Sequence, residues 1–470
     1  MTRAAGETPP RPRRGERLEV DIDSLAFGGR GVARSGGYVV FVTGGLPGDR
    51  VLAEVTKPKR NFAEATTVEL LRAGDDRVAD RCTHDGESCP GAPWQGLAYE
   101  RQLAHKEEQV GEALRRIGDL EGFELEPIEP AVEQWRYRNK LEYSFGERDG
   151  EAILGFHARG RWDLIVGVED CLLASERGNA ARNEVCDWAR RESVPAYDRR
   201  ARTGVLRNLV VREGRRTGQI QTRLVTAPAP FPKPPVDAHT IVEGDSGGSD
   251  GPTGVLGEEW LREELCGLQF EMSYNAFFQT NTEMAERLYA VAAEYAGLSG
   301  GERVFDLYCG IGTIGLTMAP RAGEVWGVEI VADAIADAER NGIANAHFRS
   351  GSTRTGLRPL IEEAGKPDVV VIDPPRAGLS QKIVRRVIEC EAKRIVYISC
   401  NPTTLAPNAA QLVEAGYRLR RVKPVDMFPQ TPHIECVALL EKAQPVPGRG
   451  SQNLSISDSP GSGGSGGGGV

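Results

Sequence analysis

The chain has no apolar run approaching the roughly 18 residues that a membrane span requires. Its opening stretch, MTRAAGETPPRPRRGERL, lacks the apolar core of a secretory signal. The cytoplasm is therefore the expected compartment. Nine cysteines, an odd number scattered over 470 residues, give no disulfide framework. Clustered cysteines instead point to metal or catalytic chemistry. Overall basic charge is also missing: the formal net charge is −9, so any nucleic-acid contact must come from local patches. Such patches exist at Arg3, Arg11, Arg13, Arg14 and Arg17, at Lys57, Lys59 and Arg60, and at Arg199, Arg200, Arg202, Arg207, Arg212, Arg215 and Arg216. Each can be read as a solvated face or as a contact for RNA.

The length suits two to four domains. Residues 1–14 read as a disordered basic arm and 445–470 as a disordered Gly/Ser tail. Residues 15–73 alternate apolar and polar positions between glycine turns. The spacing predicts five short strands near 18–22, 27–31, 38–42, 49–55 and 62–68, enough for a small barrel. Residues 74–270 read as a mixed α+β middle domain with an RNA-binding role. It has a helix over 99–117, strands over 135–145 and 152–157, and loops over 226–235 and 243–254. From 271 to 444 strands alternate with helices. The strands are expected at 303–307, 324–330, 368–372, 394–398 and 435–440, and helices at 331–341 and 381–392. That order implies a mostly parallel sheet with ligands at the carboxyl ends of its strands.

Three strand ends carry reactive side chains. Ile395-Val-Tyr-Ile-Ser-Cys400-Asn401-Pro402 delivers a thiol to a turn, because Asn-Pro cannot continue a strand. Val369-Val-Val-Ile-Asp373-Pro-Pro-Arg376 ends in a carboxylate and an arginine, and His433-Ile-Glu435 adds a histidine and a second carboxylate. Upstream, Gly310, Gly312 and Gly315 form a G-x-G-x-x-G turn, with Glu329 about 20 residues beyond the first of them. Alone, that turn fits a dinucleotide dehydrogenase as well as a methyltransferase.

The Phe27-Gly-Gly-Arg-Gly-Val-Ala run and the Leu46-Pro-Gly-Asp-Arg turn resemble the TRAM domain, an OB-like RNA-binding module. Asp306-Leu-Tyr308-Cys-Gly310-Ile-Gly312 resembles the S-adenosylmethionine pocket of class I methyltransferases. Five ordered motifs, Phe277-Phe-Gln279-Thr-Asn281, Asp306–Gly312, Asp373–Gly378, Ser399-Cys-Asn-Pro402 and His433-Ile-Glu435, resemble the RNA 5-methyluridine methyltransferase family, over residues 15–442. The resemblance implies a Rossmann-like class I methyltransferase domain, an N-terminal OB-like barrel and a mixed middle domain. It also implies methyl transfer from S-adenosylmethionine to carbon 5 of a uridine in RNA, with 23S ribosomal RNA favoured over tRNA. By it, Gln279, Tyr308, Glu329 and Asp373 contact the cofactor, Cys400 is the nucleophile and Glu435 the base. Arg376 is a candidate to hold a phosphate or orient a carboxylate, and His433 to orient the turn or act as a base. One departure is Ser352 after Gly351, where such families carry an acid.

Cys82-Thr-His84-Asp-Gly-Glu-Ser-Cys89-Pro-Gly-Ala92 resembles the family's iron–sulfur segment, with Cys171 in the place of a later ligand. Ala92 stands where a third clustered cysteine would fall, so the full four-cysteine site is not written in the sequence. A degenerate or zinc-like site, or no metal, stays open. Two further readings remain at this stage: a dinucleotide-dependent oxidoreductase using the glycine turn, and a non-catalytic RNA-binding protein.

Overall fold

The computed structural model describes residues 11–84, 89–235, 241–245 and 252–443. The expected arm and tail lie almost wholly outside these. Five strands, Arg17–Leu25, Gly31–Ser35, Tyr38–Thr43, Arg50–Pro58 and Phe62–Arg72, close into a barrel. Period-2 alternation drives Val20, Ile22, Val40, Val42, Val51, Ala53 and Val55 inward. One expected strand is misplaced. Residues 27–30 form a turn, and the second strand begins at Gly31. Gly28 and Gly29 adopt φ of +87° and +88°, which an extended strand cannot contain.

Seven strands form the middle sheet, in the order Pro252–Leu256, Ile241–Asp245, Ile220–Thr226, Leu206–Glu213, Lys140–Arg148, Glu151–Ala158 and Arg161–Gly167. The helix Glu176–Arg191, capped by Ser175, packs Val185 and Trp188 against Tyr143, Phe145 and Leu209. The expected loop over 243–254 is corrected, because Ile241–Asp245 and Pro252–Leu256 pair there as antiparallel strands. Backbone hydrogen bonds suffice to add strands at a sheet margin, so the Gly/Ser composition misled. The strand expected over 135–145 begins only at Lys140, and the helix expected over 99–117 is α-helical from Tyr99 to Glu112 before a π turn over Ala113–Ile117.

The third sheet runs Ala346–Ser350, Glu324–Glu329, Arg303–Leu307, Val369–Ile372, Arg394–Ser399, Glu435–Lys442, Tyr417–Val425 and Glu124–Leu125. The first five strands are parallel, and Glu435–Lys442 lies antiparallel beside Arg394–Ser399. Both faces are covered, which explains the unbroken apolar run Val369–Ile372. Val369 and Val371 join one core with Leu288 and Ala292 of helix Thr282–Ala296. Val370 and Ile372 join the other, with Leu360 and Leu405. Strand order reverses at Arg303–Leu307, so a crevice opens where Leu307 and Ile372 end side by side. Among the described residues no helix is long and apolar enough to cross a membrane.

Candidate active site

The glycine turn leaves Arg303–Leu307 through Tyr308, whose φ is +65°, then Gly310 at +55° and Gly312 at +82°. These left-handed steps fold the turn tightly, with the N–H groups of Tyr308, Gly310 and Gly312 bonded to Val328 O, Glu329 Oε2 and Cys309 O. A Cβ at Gly310 would meet nothing within 4 Å, so that side is open to a ligand. At Gly315 the need is different. A Cβ there would lie 2.8 Å from Asp306 Oδ2, the same oxygen that accepts from the Gly315 N–H at 2.8 Å.

Asp306 is fully buried, and its Oδ1 has no partner. Burial, followed by the Glu329 charge, pushes its carboxyl up to about 7. Asp373 lies at the end of the neighbouring strand. Burial and then the Asp306 charge push it to about 7 as well. Glu329 ends the strand on the other side and accepts from the N–H groups of Gly310, Ile330 and Val331 at 3.2, 2.7 and 3.0 Å. Tyr308 is half-buried, with its hydroxyl bonded to Thr353. Gln279 is buried, and its carbonyl accepts from Asn139 Nδ2 at 2.9 Å. Asn281, two residues on, caps helix Thr282–Ala296 and donates to Met427 O at 3.0 Å, tying this loop to the one that leads to Glu435.

An orphaned buried oxygen, an open glycine cradle and three carboxylates suit a cationic, hydroxyl-bearing cofactor such as S-adenosylmethionine. Ser352 has a different job from the acid expected at its position. It is the N-cap of helix Thr353–Ala364 and accepts from Thr355 N. The cap pattern could have been read from Ser352 and the helix that follows.

Cys400 sits between strand Arg394–Ser399 and helix Pro402–Glu414. Asn401 builds the turn around it. Its Oδ1 accepts from Thr403 N and Thr403 Oγ1 at 3.0 and 2.7 Å, and its Nδ2 donates to Arg376 O at 3.1 Å. Pro402 occupies the first helical position, where a missing N–H costs nothing. Ser399 pairs with Cys436 across the antiparallel ladder, so Cys400 and Glu435 are the next residues along. Burial, then the charges of Glu435 and Asp373, push the Cys400 thiol up to about 11, while Arg376 pulls it down. Glu435, 5% exposed, is raised well above the carboxylate range by burial and by Asp373. Arg376 Nη2 donates to His433 Nδ1 at 2.9 Å. Burial and then Arg376 depress His433 to about 4, so it is neutral and accepts.

The loop before Glu435 is anchored by a buried network that the sequence did not reveal. Lys106 Nζ donates to Asp426 Oδ1 at 2.5 Å and to Phe428 O at 3.0 Å, and Tyr99 donates to Asp426 Oδ2 at 2.7 Å. Gln102 bonds Gln430 through side chain and backbone. Lys106 reads in the sequence as an ordinary helix-surface lysine, and nothing local marks its partner 320 residues away.

Cys82, Cys89, Ala92 and Cys171 line one cavity of about 300 Å³. Burial, followed by Cys171 and Cys82, pushes Cys89 to about 11. Three thiols with a buried methyl in the fourth place do not fit a four-thiolate cluster. Among the described residues no three Cys, His, Asp or Glu side chains are arranged to hold a metal ion. The structure brings the expected Cys82, Cys89 and Cys171 to the wall of one cavity.

A family model described as tRNA (uracil-5-)-methyltransferase matches residues 249–351 and 363–443. A TRAM domain model matches residues 11–68. An uncharacterised RNA methyltransferase of Halalkalibacterium halodurans is 36% identical over 450 residues, 90% of this chain and 96% of its own. Another, from Caldanaerobacter subterraneus, is 37% identical over 92% of this chain and 100% of its own. The crystal structure of Pyrococcus abyssi tRNA (uracil-54, C5)-methyltransferase with S-adenosyl-L-homocysteine covers 90% of this chain and 100% of its own, at 28% identity and a TM-score of 0.74.

Proposed function

The chain belongs to the S-adenosylmethionine-dependent RNA uracil-5-methyltransferase family, and from that premise we propose that it methylates a uridine of 23S ribosomal RNA by covalent catalysis from Cys400. The observation that carries the catalytic part is the meeting of Cys400 and Glu435 one step beyond the Ser399–Cys436 pair, with Asp373 and Arg376 close enough to act on both charges.

Carbon 5 of uracil is a weak nucleophile. The Cys400 thiolate adds to carbon 6, and the double-bond electrons move onto carbon 5 and the adjoining carbonyl as an enolate. When bound, S-adenosylmethionine supplies the methyl group that carbon 5 takes. Glu435 then removes the carbon 5 proton, the ring double bond re-forms and the Cys400 thiolate leaves. Burial raises both groups, while the reaction needs both ionised, Cys400 to attack and Glu435 to take the proton. Arg376 opposes both shifts and favours the ionised states. His433 holds Arg376 in place. Gln279, Tyr308, Glu329 and Asp373 line the cofactor crevice, where the Asp306–Asp373 pair favours a positively charged ligand.

Ribosomal RNA is supported by the cysteine segment retained beside the barrel. A second reading, tRNA, is favoured by the Pyrococcus abyssi tRNA enzyme, whose match extends along 90% of this chain and therefore into the barrel as well. Labelled S-adenosylmethionine with 23S transcripts and with tRNA, followed by digestion and mass spectrometry for 5-methyluridine, separates the two. Cys400→Ala should reduce the product to background and should abolish a denaturation-resistant adduct on 5-fluorouridine RNA. Undiminished methylation by that variant overturns the reading.

A further inference from the structure

The strand Arg161–Gly167 is the outer margin of the seven-stranded sheet, and its first four residues are exposed. Trp162 is 57% exposed and Leu164 47%. Two residues apart on one strand, they share a face and form an apolar patch rather than a scattered side chain. Beside it lies a cleft of about 390 Å³, floored by Phe145 and Ile165 and walled by Tyr197, Arg199 and Arg200. The guanidinium of Arg200 lies 5.4 Å from the Trp162 ring centroid.

Glu147, Asp163 and Asp198 also line the cleft, and two of these three carboxylates are engaged within the protein. Asp163 accepts from Arg161 at 2.9 Å and from Arg200 at 2.7 Å, so both its oxygens are engaged by arginines. Asp198 turns its carboxylate onto the backbone N–H groups of Arg200 and Ala201 at 2.7 and 3.0 Å. That fixes a tight turn from which Arg199, Arg200 and Arg202 project into solvent. An arginine cluster around an aromatic platform stands out in a chain whose net charge is −9.

The cleft is also placed for the chemistry. Val168, just past the far end of the same strand, lines the cavity that His433 borders. Six or seven residues of strand span roughly 20 Å at about 3.3 Å per residue. The strand thus leads from the cysteine cavity, which His433 borders, to Trp162.

We propose that this cleft holds an unpaired nucleotide flanking the target uridine, its base stacked on Trp162 and its phosphate held by Arg199 and Arg200. The inference rests on the RNA-methylation reading above and extends it. Stacking on an indole is tolerant of base identity, and arginine forks suit phosphate. Such a site adds grip on a single strand without reading sequence. It also helps hold open the loop from which the target base must be drawn.

The test is fluorescence anisotropy of a labelled RNA hairpin bound by the wild-type protein, at several salt concentrations. Trp162→Ala should weaken binding by about 5- to 160-fold, from the roughly 1–3 kcal/mol that one stacked base contributes. Trp162→Phe should recover most of the loss. Arg199→Ala with Arg200→Ala should lower the logarithmic salt slope by about 0.7, the value for one phosphate on a single strand. Affinity for S-adenosylmethionine and melting temperature should stay at wild-type values. RNA affinity unchanged in Trp162→Ala overturns the proposal and assigns the exposed indole to a protein partner. The binding arm needs no turnover. Failure of the wild-type protein to methylate any RNA sinks the preceding reading alone, and unchanged hairpin affinity sinks this one alone.

Discussion

Cys400 and Glu435 follow and precede, respectively, the paired residues Ser399 and Cys436 at the mouth of an antiparallel ladder. Directly opposed residues in such a ladder lie about 4.5–5.5 Å apart at Cα. Two groups separated by 35 positions in sequence are thereby held face to face by backbone geometry. The nucleophile and the base proposed here need no loop closure to find each other.

Removal of the base should trap the adduct. Glu435→Gln is expected to lower turnover on normal RNA by about 10²–10⁴-fold. The methylated, Cys400-linked RNA should accumulate as a band that survives denaturing gel electrophoresis. Turnover at the wild-type rate without such a band removes Glu435 from its role.

The thiol should titrate late. With Cys400 pushed up to about 11, its thiolate fraction rises about tenfold per pH unit through neutrality. Alkylation of the free enzyme by iodoacetamide, followed by mass spectrometry of the Cys400 peptide, should rise with that slope between pH 7 and 9. Arg376→Met removes the one nearby cation that lowers this value, so its rate should be slower at each pH. Glu435→Gln removes a charge that raises it and should be faster. The opposite order would contradict the assigned electrostatics.

Cofactor affinity should depend on pH. Asp306 and Asp373 are both held at about 7, so the pair gains negative charge as pH rises from 6 to 8. S-adenosylmethionine, which is cationic at sulfur, should bind several-fold more tightly at the upper end. S-adenosylhomocysteine lacks that charge and should change less. Calorimetry with both ligands across this range decides the point, and parallel curves would refute it.

The buried anchor should be costly to break. Both Lys106 and Asp426 side chains are 0% exposed. Lys106→Met leaves a buried carboxylate without its cation, at about 3–5 kcal/mol. Asp426→Asn added to that variant should restore part of the loss, because the uncompensated charge disappears. Urea unfolding measures both, and a loss below about 1 kcal/mol for the single variant would contradict this account.

The sequence carried the reactive side chains well, because strand ends are marked by local chemistry. Asp373-Pro-Pro and Cys400-Asn-Pro each stop an apolar run with residues that cannot continue it. The glycine turn was equally visible, since only glycine combines the φ of Gly312 with the contact at Gly315. Pairings between distant segments were not visible. Nothing near Lys106 announces Asp426, and nothing near Glu124 announces a place in the last sheet. Composition misled where backbone pairing decides, as at Ile241–Asp245. Gly28 and Gly29 likewise forced a turn where alternation alone suggested a strand.

The two residues Glu124–Leu125 lie parallel along Tyr417–Val425 as the last strand of the catalytic sheet. The backbone N–H groups of Glu126 and Glu129 continue the contact to Val422 O and Pro424 O at 2.9 Å each. The C-terminal half therefore borrows its finishing hem from a stretch laid down much earlier in synthesis. A gene duplication or fusion that copied only that half would inherit a raw, unpaired β margin, ready to stick to other chains. The transferase module is therefore not a portable cassette, since the segment that seals it comes ahead of the middle sheet in the chain.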